Sequence, residues 1–157
     1  MSDDLDKRQH AVNLEDACRA YGALVRQISK TAAMLETVGN ASAKPAGQTM
    51  ARTQVLKRVE DDAASVAAIA AGLGYSRQSV QRLADLLVED GLCRYSPNPA
   101  HRRAKLLEMT AEGRTALAMI QEGENRCARY AAAGIAPAEL DQARKILAGI
   151  CEKLSEL

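Results

Sequence analysis

A short polar run, Ser76-Arg77-Gln78-Ser79-Val80-Gln81-Arg82, carries amides, hydroxyls and guanidinium groups able to make paired hydrogen bonds to planar polar edges. Base edges in the major groove of duplex DNA are edges of that kind, and glutamine and arginine meet them two bonds at a time. A second run, Pro99-Ala100-His101-Arg102-Arg103-Ala104-Lys105, is basic and follows Pro97 and Pro99. A stiff basic loop suits contact with phosphate or insertion into a narrow, electronegative minor groove. His101 adds a group that is either inert at the surface or a pH-sensitive phosphate contact, since histidine gains charge near pH ~6.5. Each run also has a plain reading, a solvated helix face and a basic surface loop. The elements that present them decide between the readings.

Little else in the chain offers chemistry. Cys18, Cys93, Cys127 and Cys151 are scattered without a Cys-x-x-Cys pair, and His10 and His101 are the two histidines. That spacing argues against a zinc site or a disulfide framework, and reduced thiols in a bacterial-type cytosol are expected. Cys127 and Cys151 fall on apolar helix faces and read as packing residues. No nucleophile stands beside a base and no glycine loop could cradle a phosphate. We expect no enzyme, no cofactor and no metal.

The chain has 157 residues, 47% hydrophobic and 26% charged, enough for one packed domain or a small domain with appended helices. Phenylalanine and tryptophan are absent, and alanine and leucine dominate, a composition that favours close helix packing and a mostly α fold. A net charge of +1 gives no general attraction to polyanions, so an anion-binding surface must come from uneven placement. Between Gly91 and Thr110 the placement is uneven: Arg94, Arg102, Arg103 and Lys105 stand against Glu108 alone. No stretch approaches the ~20 apolar residues of a membrane span, and the N-terminus lacks a signal pattern, so a cytoplasmic location is expected.

Apolar residues Leu14, Cys18, Tyr21, Leu24, Val25, Ile28 and Leu35 recur three or four apart, predicting a long helix over 11–38. The turn formers of 39–47 then predict a flexible connector. Thr49 caps a helix that should stop near Asp61-Asp62, Ser65 caps a short apolar one ending at Gly74, and Ser76 starts another over 77–90, closed by Gly91. Two helices joined by Gly74-Tyr75-Ser76 make a helix-turn-helix. The second has Val80, Leu83, Ala84 and Leu87 on one side and Gln78, Ser79, Gln81 and Arg82 on the other. Segments 92–95 and 105–109 are strand candidates forming a hairpin with a basic tip. A helix from Thr110 is stopped by Gly134, and Pro137 opens a last one with a seam of Leu140, Ala143, Leu147, Ile150, Leu154 and Leu157.

This order, with the run from Ile69 to Leu83 and then Gly91-Leu92-Cys93, Arg102-Arg103-Ala104-Lys105 and Met109-Thr110-Ala111-Glu112-Gly113, resembles the MarR (multiple antibiotic resistance regulator) family. The resemblance implies a winged helix-turn-helix DNA-binding lobe over 48–113, a connector over 39–47, and dimerisation helices over 11–38 and 114–157. It implies recognition of double-stranded DNA by Ser76, Arg77, Gln78, Ser79, Gln81 and Arg82, with wing contacts from Arg102, Arg103 and Lys105. Arg103 matches the family's wing arginine. The chain departs from the family where His101 replaces an aspartate and Tyr95 an arginine, with Arg94 one place earlier. The function so implied is a homodimeric repressor on a pseudo-palindromic operator, relieved by a small molecule of unspecified identity.

An alternative function stands beside it. A winged-helix module that has lost DNA binding and titrates another regulator would share the fold. Tyr21 and Tyr95 could line an aromatic-acid pocket or belong to a core seam. Cys18 resembles the sensor cysteine of the peroxide-sensing branch, but its spacing does not match, and a buried structural cysteine is expected.

Overall fold

A computed structural model describes residues 2–99 and 104–157, with side chains from residue 14 onward. Among the described residues, six α-helices and three short strands follow in the order α1 (Ser2–Ala43), α2 (Met50–Arg58), β1 (Ala64–Ser65), α3 (Val66–Leu73), α4 (Arg77–Glu89), β2 (Cys93–Ser96), β3 (Leu106–Met109), α5 (Ala111–Ala131) and α6 (Pro137–Leu154). The wing-tip residues His101, Arg102 and Arg103 lie outside the described residues.

The caps follow from side chains of suitable reach. Thr49 accepts from Arg52 N, Ser65 from Ala68 N, Ser76 from Ser79 N and Thr110 from Gly113 N, each satisfying an amide that the first helical turn leaves free. Gly74 and Gly91 take φ of 68° and 74°, left-handed values that end α3 and turn the chain after α4.

The strands form an antiparallel sheet in the order β1-β3-β2. Cys93 faces Met109 and Ser96 faces Leu106, while Ala64 faces Leu107 on the other edge of β3. Cys93, Leu107 and Met109 are buried and join Leu56, Ile69, Val80, Leu87 and Leu117 in one core. At the far end of α4, Asp90 puts a carboxylate beside the negative helix terminus. Arg52 of α2 offsets it by donating from Nη2 to Oδ2 at 2.5 Å, and Gln48 donates to the same oxygen at 3.3 Å.

Three details differ from the sequence reading. α1 does not end near Val38; it runs to Ala43, and Lys44–Ala46 form a 3-10 turn. The reason is local: a Cβ at Gly39 would sit 2.8 Å from Met50 Sδ, and Asn40 Oδ1 accepts from Met50 N at 2.8 Å. The apparent turn formers therefore serve a close helix crossing, not a flexible connector. α1 also begins at Ser2 and not at residue 11, whereas α2 ends at Arg58, close to the expected stop at Asp61-Asp62. β1 was not anticipated, since two residues carry no periodic signal.

α5 packs along the end of α1, with Gly123 against Ser42. By contrast α6 buries no residue, and Leu140, Ile146, Leu147 and Leu154 remain exposed. Leu14, Met34 and Leu35 of α1 are 64%, 60% and 58% exposed.

Gly113 provides a test of the hairpin junction. A Cβ there would strike the Leu92 carbonyl oxygen, which cannot retreat because it accepts from Thr110 N at 3.0 Å while Thr110 Oγ1 donates to Gly91 O at 2.8 Å. Gly113→Ala is expected to destabilise the chain by about 1–3 kcal/mol in denaturant unfolding. An unchanged midpoint would contradict this packing.

Candidate nucleic-acid interface

α4 buries Val80, Ala84 and Leu87 and leaves Arg77, Gln78, Ser79, Gln81 and Arg82 exposed. A helical period of 3.6 requires this division once the apolar set is inside. The side chains of Arg77, Gln78 and Arg82 make no hydrogen bond or ion pair with another described residue and have their donors available. Ser76 and Ser79 are engaged locally, their hydroxyls 2.8 Å apart with Ser76 also serving as the cap.

The structure brings the helix and hairpin together. An open groove of about 590 Å³ is bounded by Ser65 and Val66, by Arg77 and Gln78 of α4, and by Tyr95 and Lys105 of the hairpin. Lys105 Nζ lies 5.8 Å from the centre of the Tyr95 ring, within range of a cation–π attraction. Arg94, counted in the local excess of positive charge, is already paired: Nη2 and Nε donate to the two oxygens of Glu108 across the strands at 2.8 and 3.3 Å. That partner holds the Glu108 carboxyl below its ordinary range. The pair cancels itself, leaving Lys105 as the free cation at the described root of the wing.

Sequence reasoning missed Asp85 and the part played by Tyr95. Gln81 Nε2 donates to Asp85 Oδ1 at 2.9 Å and to Tyr95 Oη at 2.7 Å, and Tyr95 Oη donates to Asp85 Oδ1 at 2.7 Å. The four-residue spacing of Gln81 and Asp85 could have signalled their contact. Nothing in the sequence signals the tyrosine. Its hydroxyl is pushed up to about 12 by burial and by the hydrogen bond and charge of Asp85. Tyr95 thus belongs to the wing root, and Tyr21 is exposed on α1. The aromatic wall of the cavity of about 470 Å³ between α1 and α2 is Tyr75, whose hydroxyl donates to Gln54 at 2.6 Å.

Two thiols differ from expectation. Cys18 and Cys151 are exposed, because the helix faces that carry them have no cover within one chain, while Cys127 is half-buried with its Sγ 3.8 Å from Ser42 Oγ of α1. Cys93 is the buried one. Among the described residues no three His, Cys, Asp or Glu side chains gather as a metal site, and no helix is long and apolar enough to cross a membrane.

Comparison with known proteins agrees with this architecture. The family model described as MarR family matches residues 49–104, from the cap of α2 to the wing. An uncharacterised protein of Mycobacterium tuberculosis (strain H37Rv) is 38% identical over 124 residues, covering 79% of this chain and 87% of its own length. The chain belongs to the MarR family.

Solved MarR-family structures share its winged-helix fold. CouR from Rhodococcus jostii RHA1, bound to p-coumaroyl-CoA, has a TM-score of 0.72 at 25% identity, over 79% of this chain and 88% of its own. A mutant MarR from E. coli, complexed with operator DNA, has a TM-score of 0.73 at 19% identity, over 81% of this chain and 92% of its own.

Burial raises the Cys93 thiol to about 11, so only about one molecule in a thousand is thiolate at pH 8. Iodoacetamide at that pH is expected to leave Cys93 unmodified in the folded protein and to modify it after denaturation. Mass spectrometry of peptides over time checks this; equal rates at Cys93 before and after denaturation would contradict the assigned burial.

Proposed function

We propose that this MarR-family chain is a homodimeric repressor of the bacterial cytoplasm that binds a pseudo-palindromic duplex operator. The observation that carries the reading is the outward face of α4, where Arg77, Gln78 and Arg82 stand exposed and unengaged beside the hairpin. A helix so presented fits the major groove, guanidinium and amide groups meeting base edges, while Lys105, Arg102 and Arg103 serve the backbone and minor groove. The complex of a MarR mutant with operator DNA supports the same use of the fold.

Dimerisation is supported by what one chain leaves uncovered. The apolar residues of α6 and of the first half of α1 form faces that a soluble monomer rarely exposes, and a second copy related by a twofold axis would cover both. Two α4 helices would then address half-sites about ten base pairs apart. Relief by a small molecule is supported by CouR, seen with p-coumaroyl-CoA, and by the cavity beside Tyr75 between α1 and α2. A ligand there would act by favouring one spacing of the two lobes over another. No catalytic step is part of this function.

Binding to the DNA upstream of the chain's own gene, measured by mobility shift over a range of salt, tests the reading. Arg82→Ala and Arg103→Ala are each expected to weaken specific binding by about tenfold, the size of one lost bidentate base or groove contact. Affinity equal to that for random DNA, unmoved by either substitution, would favour the module that titrates another regulator.

A further inference from the structure

Unlike Arg77, Gln78 and Arg82, Gln81 does not reach the outward face of α4 with its amide free. Its partners form a closed triangle with Asp85 one turn along the helix and Tyr95 in β2. Chemistry fixes the orientation of the amide. A carboxylate only accepts, so Gln81 turns its NH2 group to Asp85 and not its carbonyl. The Tyr95 hydroxyl has a single hydrogen, which goes to that carboxylate, so from Gln81 it can only accept. Both amide hydrogens are therefore in use, and Oε1 is the polar atom of Gln81 that no described residue meets.

We propose that Tyr95 is a specificity-determining positioning residue, which with Asp85 restricts Gln81 to reading bases as a hydrogen-bond acceptor. The inference rests on the assignment of α4 as the DNA-reading helix. A free glutamine takes adenine through two bonds, donating to N7 and accepting from the N6 amino group. Held in the triangle, Gln81 accepts from an exocyclic amino group, which adenine and cytosine both offer, and has no hydrogen for N7. Gln81 is exposed beside Arg77 and Gln78 in the groove, so the constraint acts where a base would arrive. The raised Tyr95 hydroxyl keeps its proton at neutral pH and so remains the donor to Asp85. Lys105 over the ring adds a second hold on the tyrosine.

Selection from randomised half-sites with wild type, Gln81→Ala, Tyr95→Phe and Asp85→Ala, with thermal melting alongside, tests this. The base pair whose preference changes in Gln81→Ala is the one Gln81 reads. At that pair wild type is expected to take adenine and cytosine within about twofold of each other, and Tyr95→Phe, which frees one amide hydrogen, to favour adenine by about fivefold or more. Asp85→Ala frees the other hydrogen from an exposed position and is expected to act likewise, which keeps the test decisive if Tyr95→Phe melts early. An adenine preference already present in wild type and unchanged in both variants overturns the proposal, as does a Gln81→Ala protein with the wild-type profile. Wild type without any sequence preference would overturn the operator-reading function itself.

Discussion

Val80, Ala84 and Leu87 have no exposed surface, and this burial fixes the rotation of α4 about its own axis. Turning the helix by one residue, about 100°, would bring Val80 and Leu87 toward water and carry polar side chains inward. Each large apolar side chain so exposed costs about 1.5–3 kcal/mol, and each buried polar group left unpaired about 1–3 kcal/mol. Those losses approach the whole stability of a small domain, about 5–15 kcal/mol. The outward posture of Arg77, Gln78 and Arg82 is thus set by the core, which α2, α3, α5 and the sheet complete. The Ser76 cap and the Arg52–Asp90 contact then hold the two ends of α4 in place.

Charge is arranged on this frame with economy. Arg94 and Glu108 neutralise each other across the hairpin, and an exposed pair of that kind adds little to stability. It does remove a cation from the strand, so the positive charge of the wing is left to Lys105 and the tip. The triangle of Gln81, Asp85 and Tyr95 links the hairpin to α4 by hydrogen bonds. The tyrosine brings no charge, and the Asp85 carboxylate is met by the two hydrogen bonds it accepts.

Most elements were legible because their signals are local. Thr49, Ser65, Ser76 and Thr110 each cap the helix expected of them, and Gly74 ends α3 in the left-handed conformation. The 39–47 segment misled because Gly39 and Asn40 look the same whether they break a helix or let another approach it; only the position of Met50 distinguishes the two. Cys18 could not be read as exposed, since its apolar neighbours suggested a core that a single chain does not form. The placement of Arg77, Gln78 and Arg82 followed from the period of α4. The engagement of Gln81 did not, because its partner Tyr95 comes from the strand after α4 and is set by the hairpin's register.

The apolar faces of α1 and α6 and the exposed face of α4 are parts of one functional account, in which pairing of two chains sets the distance between two reading helices. Hydroxyl-radical footprinting of the full-length protein on the DNA upstream of its gene tests that account most directly. We predict two protected patches related by a pseudo-dyad and centred about ten base pairs apart, one for each α4. A single patch without symmetry, or uniform protection along the fragment, would contradict it.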